Sequence, residues 1–207
     1  MTSASADYSA DWVSGAGLNL EPGYCITIVR AVQPRTALHQ LGVSDADIRT
    51  APWSELVAQV SELKPPYRHI VTAAFVIGEH TVLVEENGYR GHLAEWSGPL
   101  SRGTEVVSVY LSPSNGNQDL SIYRNGERLA FIDGDAPEDV DTNDKGLNTE
   151  LPRLIHAALK PWDEDGLVPK DFDDGRVDLL QVACDYLGLR PRVSDISAPA
   201  LGAPVRL

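Results

Sequence analysis

Ile70-Val-Thr-Ala-Ala-Phe-Val-Ile77 and Thr81-Val-Leu-Val-Glu85, joined by Gly78-Glu79-His80, form the stretch that decides the fold. Both runs are apolar and rich in β-branched residues, and the short glycine-led link reads as a hairpin. In that reading Glu79 and His80 face solvent, and Asn87-Gly88 closes the second strand. Downstream, residues 105–111 form a third strand. Residues 120–123 and 128–132 flank Asn125-Gly126, a pair suited to the tightest hairpin turn. Upstream, Tyr24–Arg30 reads as another strand. Sequential hairpins imply antiparallel pairing.

Helical patterns surround this block. Pro34 begins a short helix with Leu38 and Leu41 on one side and Gly42 as its stop. Trp53, Leu56, Val57, Val60 and Leu63 repeat at helical spacing after Pro52, and Pro65-Pro66 ends that helix. Residues 92–100 form a short helical segment. Leu151, Leu154, Ile155, Ala158 and Leu159 mark a helix ended by Pro161. Val177, Leu180, Cys184 and Leu187 mark the last one, with Gly188 as its cap. Helices segregated from a run of strands predict an α+β domain: an antiparallel sheet of about six strands with helices packed on one face. Residues 1–19 are expected as a mobile N-terminal arm anchored by Trp12. Residues 20–190 are expected as the single domain, and residues 191–207, rich in Pro, Ala and Gly, as a C-terminal tail that wraps the surface or frays.

Bulk composition narrows the function. The 207 residues carry 43% hydrophobic and 23% charged side chains, ordinary globular values. A formal net charge of −13 repels phosphate backbones and anionic lipids, so neither nucleic acid nor membrane is an expected partner. The opening residues have no basic start or apolar core, and the longest apolar run falls far short of the roughly 20 residues of a membrane span. A cytoplasmic location is therefore expected. Two distant cysteines, Cys25 and Cys184, suit a pair of small buried hydrophobes better than a disulfide framework or a metal site.

Several stretches carry a family resemblance: Trp12 followed by Tyr24-Cys-Ile-Thr-Ile-Val-Arg30; Pro34 to Leu38-His-Gln-Leu-Gly42; Val82-Leu-Val-Glu-Glu-Asn-Gly88-Tyr89; Leu100-Ser-Arg-Gly-Thr104; and Val106-Val-Ser-Val109. Over most of residues 12–187 the chain resembles an uncharacterised family of small actinobacterial domains of unknown function. The resemblance implies a shared fold and no assigned activity, so no functional residue carries over. In structural terms Gly42 ends a helix, Gly88 permits a turn and Trp12 fills a core edge.

No motif for catalysis is legible. Five histidines (His39, His69, His80, His92 and His156) have neither metal-binding spacing nor a nucleophile placed beside them. Ser101 reads as a cap before a strand. Gly15-Ala-Gly17 follows no strand and lacks the phosphate-loop lysine. Asp139, Asp141, Asn143 and Glu150 match part of a calcium-loop frame, but Asp144 stands where that loop needs glycine. Glu85 and Glu86 point to opposite faces, so one could line a pocket, although solvation at the strand end is the simpler reading. No metal and no cofactor is expected.

Charge clustering gives the leading expectation. Residues 133–174 hold 13 acids and 4 bases. Asp139, Asp141, Asp163, Glu164, Asp165, Asp171 and Asp173, with Trp162 as an aromatic anchor, suggest a negative face on loops flanking one helix. The sequence thus reads as a non-catalytic protein-binding module whose acidic face masks a basic protein, as immunity proteins and antitoxins do. The alternative is a small-molecule sensor or enzyme with a pocket between sheet and helices, drawing on Glu85, Glu86, Asn87, Tyr89, His69 and His92. A homodimer through an exposed face beside Tyr24–Arg30 is a third possibility.

Overall fold

The computed structural model describes residues 11–14, 23–61, 69–114, 116–161 and 175–206. The strands of the main sheet are β1 (Tyr24–Arg30), β2 (Arg49–Ala51), β3 (His69–Ile77), β4 (His80–Glu86), β5 (Glu105–Ser112), β6 (Asn117–Arg124), β7 (Glu127–Asp133), β8 (Asp141–Thr142) and β11 (Ala200–Arg206). They pair in the order β2-β11-β3-β4-β1-β5-β6-β7-β8, antiparallel throughout. A separate ribbon joins β9 (Leu159–Pro161) to β10 (Gly175–Val177). The helices are α1 (Asp11–Ser14), α2 (Pro34–Gln40), α3 (Trp53–Ser61), α4 (Ala94–Leu100), α5 (Leu147–Ala157), α6 (Leu179–Leu187) and α7 (Val193–Ser197), with a 3₁₀ turn at Arg90–His92.

All six strands expected from the sequence form, so the antiparallel sheet stands, but it has nine strands rather than about six. β2 and β8 span 3 and 2 residues, too short to show alternation. β11 corrects the reading of residues 191–207 as a tail, because it lies inside the sheet between β2 and β3. Pro204 is tolerated there because β2 pairs only with residues 200–202, which leaves the proline nitrogen without a neighbour to serve. Gly202 is required by packing: a methyl group at that position would lie 2.5 Å from Leu56 of α3.

Helices cover both faces of the sheet, not one. Tyr24, Ile26 and Ile28 of β1 join Val82, Val84, Val107, Val109, Leu120 and Ile122 on one face. Against them lie Leu56 of α3, Leu151 and Ile155 of α5, and Leu179, Leu180 and Cys184 of α6. Trp12 and Val13 of the short helix α1 are buried in the same core, so the expected tryptophan anchor is in place; residues 1–10 and 15–19 lie outside the described residues. On the opposite face Val29, Leu83, Ala74 and Val106 pack on Ala37 and Leu38 of α2, Leu41 just after it and Leu100 of α4. The reason lies in β1 itself. Its first six residues are all buried, and a strand apolar on both sides needs cover on both. β1 is central, so it offers no exposed face for a homodimer.

Local signals behave as their chemistry dictates. Asn125 and Gly126 both take positive φ, 54° and 93°, as a tight hairpin requires. Gly188 caps α6 at φ 66°, and Asp178 opens that helix by accepting from the Gln181 amide at 3.0 Å. The β3–β4 turn is only Gly78-Glu79, so His80 begins β4 and is buried at 5% exposure, contrary to its expected place in solvent. Cys25 and Cys184 form no disulfide and are buried on opposite sides of the sheet. The Pro65-Pro66 helix stop lies outside the described residues. Among the described residues, no helix is long and apolar enough to cross a membrane.

Candidate functional site

The second face of the sheet is polar at its centre. The register sets Thr72, Glu85, Cys25, Tyr110 and Asp119 side by side on β3, β4, β1, β5 and β6. The next row on that face brings Thr27, Ser108 and Ser121 together. Thr27, Thr72, Glu85, Ser108, Asp119 and Ser121 are all buried. Buried polar groups must be hydrogen-bonded to be tolerated. Thr72 Oγ1 donates to Glu85 Oε1 at 2.9 Å, and Ser108 Oγ lies 3.3 Å from Thr27 Oγ1 and 3.5 Å from Cys25 Sγ.

The 3₁₀ turn closes over these rows. The Arg90 amide donates to Glu85 Oε2 at 2.9 Å, so a buried carboxylate fixes the start of the turn. Gly91 sits directly on Thr27, where a methyl group would come within 1.7 Å of the hydroxyl. Ser97 Oγ donates to the Gly91 carbonyl. At the far end His92 Nδ1 donates to Asp119 Oδ1 at 2.8 Å, and the imidazole stacks on Tyr110 with ring centres 4.8 Å apart. Burial pushes the Glu85 carboxyl above its ordinary pKa against the opposing pull of these hydrogen bonds. Burial, then the nearby Glu85, pushes the Cys25 thiol up to about 12, so it is inert as a nucleophile.

Beside the turn opens a cleft of about 450 Å³ between sheet and helices. Its walls are Leu41, Gly42, Val43 and Asp47 from the loop after α2, Trp96 of α4, and His69, Pro204 and Val205 of β3 and β11. Arg90 also lines it. That residue is only 8% exposed. Its guanidinium donates to the Leu41 carbonyl at 3.2 Å and lies 4.4 Å from the centre of the Trp96 ring. Among the described residues it makes no ion pair. Burial lowers its pKa, yet a guanidinium stays charged at any physiological pH.

The residues singled out from sequence divide sharply. Trp162, Asp163, Glu164, Asp165, Asp171 and Asp173 lie outside the described residues. Asp139 is exposed in the loop before β8, and Asp141 is exposed on β8 with Oδ2 3.4 Å from Arg128 Nη2. Two neighbouring acids serve loop geometry. Asp144 Oδ1 accepts from the Gly146 and Leu147 amides at the start of α5, and Asp133 Oδ1 accepts from the Asp135 amide. Among the described residues no group of acids and histidines is arranged to hold a metal ion.

Glu85, read as a solvated strand end, is instead 3% exposed. Glu86 points to the opposite face and bonds Trp53. His69 lines the cleft, whereas His92 binds Asp119 away from it. Arg90 went unnoticed in the sequence, because only the fold stacks it on a residue six positions later. No curated protein and no solved structure matches the chain. Residues 1–155 match the model of a family of unknown function, DUF6461, and the chain belongs to that family.

Proposed function

We propose that this domain is a small-molecule-binding module whose ligand sits in the cleft between α2, the 3₁₀ turn and the β3–β11 side of the sheet. The observation that carries the reading is Arg90: a buried guanidinium that makes no ion pair among the described residues, lining a cavity of ligand size. Keeping a charge there is costly, and a bound group that pairs with it offsets that cost. The described lining holds two groups capable of acid–base chemistry, Asp47 and His69, and no serine, threonine, cysteine or lysine; binding is the function proposed. Thermal denaturation against a panel of metabolites tests this. A ligand at 100 times its Kd adds about 2.7 kcal/mol, which raises the Tm visibly. A flat response across the panel refutes the proposal.

A second reading keeps the acidic face as a docking surface for a basic protein. It is favoured by Asp135 and Glu138, two acids against one base, Arg176, which line a separate cleft of about 380 Å³ with Leu111, Pro113, Pro137 and Val177. Carboxylates beside apolar walls suit a lysine or arginine side chain, whose stem is apolar and whose tip is charged. Capture of a basic protein at low salt, its release as salt rises, and its loss when Asp135 and Glu138 are changed to Asn and Gln together with Asp139, Asp163, Asp165, Asp171 and Asp173 to Asn are the expected results. Capture unchanged by those substitutions sinks the reading.

A further inference from the structure

We infer that the ligand of the Arg90 cleft is a compact organic acid with one carboxylate and an apolar body. This inference rests on the small-molecule reading of the same cleft and adds the ligand's chemical class.

The guanidinium is a planar fork that matches a carboxylate in shape and charge. It is held in place before any ligand arrives. The Leu41 carbonyl ties Nη1 at 3.2 Å, Trp96 supports its flat face, and the Glu85 carboxylate fixes the backbone amide of the same residue. A pre-set arginine loses little freedom on binding, which favours affinity.

The surroundings limit the charge of the guest. Arg90 is the one arginine or lysine among the described lining residues. Asp47 stands at the cleft and accepts from the Ser44 hydroxyl at 2.7 Å. Glu85 and Glu95 add negative potential around Arg90. One carboxylate is matched by one guanidinium, whereas a phosphate dianion would face Asp47 with its second charge unpaired. The remainder of the lining sets the body of the ligand. Leu41, Val43, Trp96, Pro204 and Val205 offer apolar surface, so the group attached to the carboxylate is hydrocarbon-like.

The test uses the full-length wild-type chain and matched probes: benzoate and isovalerate, their uncharged amides benzamide and isovaleramide, and inorganic phosphate. Binding is followed by the backbone amide signals of Gly42 and Val43 and the indole signal of Trp96 in two-dimensional NMR. The carboxylates are expected to move these signals and to bind about ten- to a hundredfold tighter than their amides, the difference expected of a charged hydrogen-bonded pair. Phosphate is expected to leave them in place. Arg90→Gln, with its fold checked by circular dichroism, is expected to level the carboxylates with the amides. Amides that bind as tightly as acids, or phosphate that binds tighter than both, overturn the carboxylate class while leaving the cleft a ligand site. Signals that no probe and no member of the metabolite panel moves overturn the small-molecule reading itself.

Discussion

Gly91→Ala is the sharpest probe of the turn that closes the polar rows. The added methyl would lie 1.7 Å from Thr27 Oγ1 and 3.0 Å from both Cys25 Sγ and Ser108 Oγ. Thr27 cannot retreat, since it is buried on a strand hydrogen-bonded to β4 and β5 on its two sides. The turn must therefore lift by roughly 1.5 Å, and overpacking of this kind costs about 1–3 kcal/mol. The same movement stretches the 2.9 Å bond from the Arg90 amide to the Glu85 carboxylate, a charge-assisted bond whose loss costs about 1.5–3 kcal/mol. The two costs overlap, so a total near 3 kcal/mol is expected, or a Tm lower by about 6–12 °C for a chain of this length. Urea unfolding followed by tryptophan fluorescence measures it. Gly98→Ala in α4 is the control, because its methyl would meet nothing closer than 3.4 Å and removes a helix glycine. A loss at Gly91 below about 1 kcal/mol, or no larger than at Gly98, refutes the account of the turn as clamped on Thr27.

Three further results are expected. Glu85→Gln keeps both polar contacts, with the amide oxygen accepting from Arg90 and the amide nitrogen donating to the Thr72 hydroxyl. The raised carboxyl pKa means that the folded chain holds its proton more tightly than the unfolded chain, so wild-type stability falls as pH rises from about 4.3. The variant's advantage over wild type should grow from pH 4.5 to 7 in denaturant titrations; a difference constant with pH contradicts this. His80→Leu should gain about 1 kcal/mol at pH 7, because both buried ring nitrogens lack hydrogen-bond partners. Its lowered pKa makes wild-type stability fall as pH drops below about 6.5, so the gain should widen in acid, and equal melting at pH 5.5 would count against it. Cys25 and Cys184, each 0% exposed, should resist a thiol reagent at pH 8 until urea unfolds the chain. Prompt labelling of either in the native state contradicts the packing described.

The sequence carried the middle of the sheet because alternation, β-branching and turn chemistry agree there. Asn125-Gly126 and the Gly78-Glu79 turn each pin a register locally. β11 escaped for an identifiable reason. Leu201, Ala203 and Val205 do alternate toward the second face, but Gly202 and Pro204 argue against a strand when the chain is read alone. Only the arrangement of β2 and α3 makes both residues suitable. The polar rows escaped for a different reason. Each strand contributes one or two polar residues within an apolar run, and it is the register that makes them neighbours. Glu85 looked like a strand end going into solvent because the covering turn, five residues on, has no helix signal of its own. The acidic loops were legible as composition, yet Asp133 and Asp144 show that some of that charge serves turns and a helix start.

The two faces of the sheet therefore do different work. The face under α5 and α6 is mainly apolar, with one buried carboxylate, Glu105, which accepts from Tyr186 at 3.1 Å and from Arg124 Nε at 3.0 Å. The other face buries two more, Glu85 and Asp119, in its central polar row, and buried carboxylates contribute little or nothing to stability against apolar replacements. What Glu85 does fix is position: it holds the Arg90 amide, Leu41 holds the side chain and Trp96 holds its flat face. The cleft has a third wall, Pro204 and Val205, which lies outside residues 1–155 of the family match. Three segments far apart in sequence thus line one cleft, and two of them hold the guanidinium that faces it, through Leu41 and Trp96.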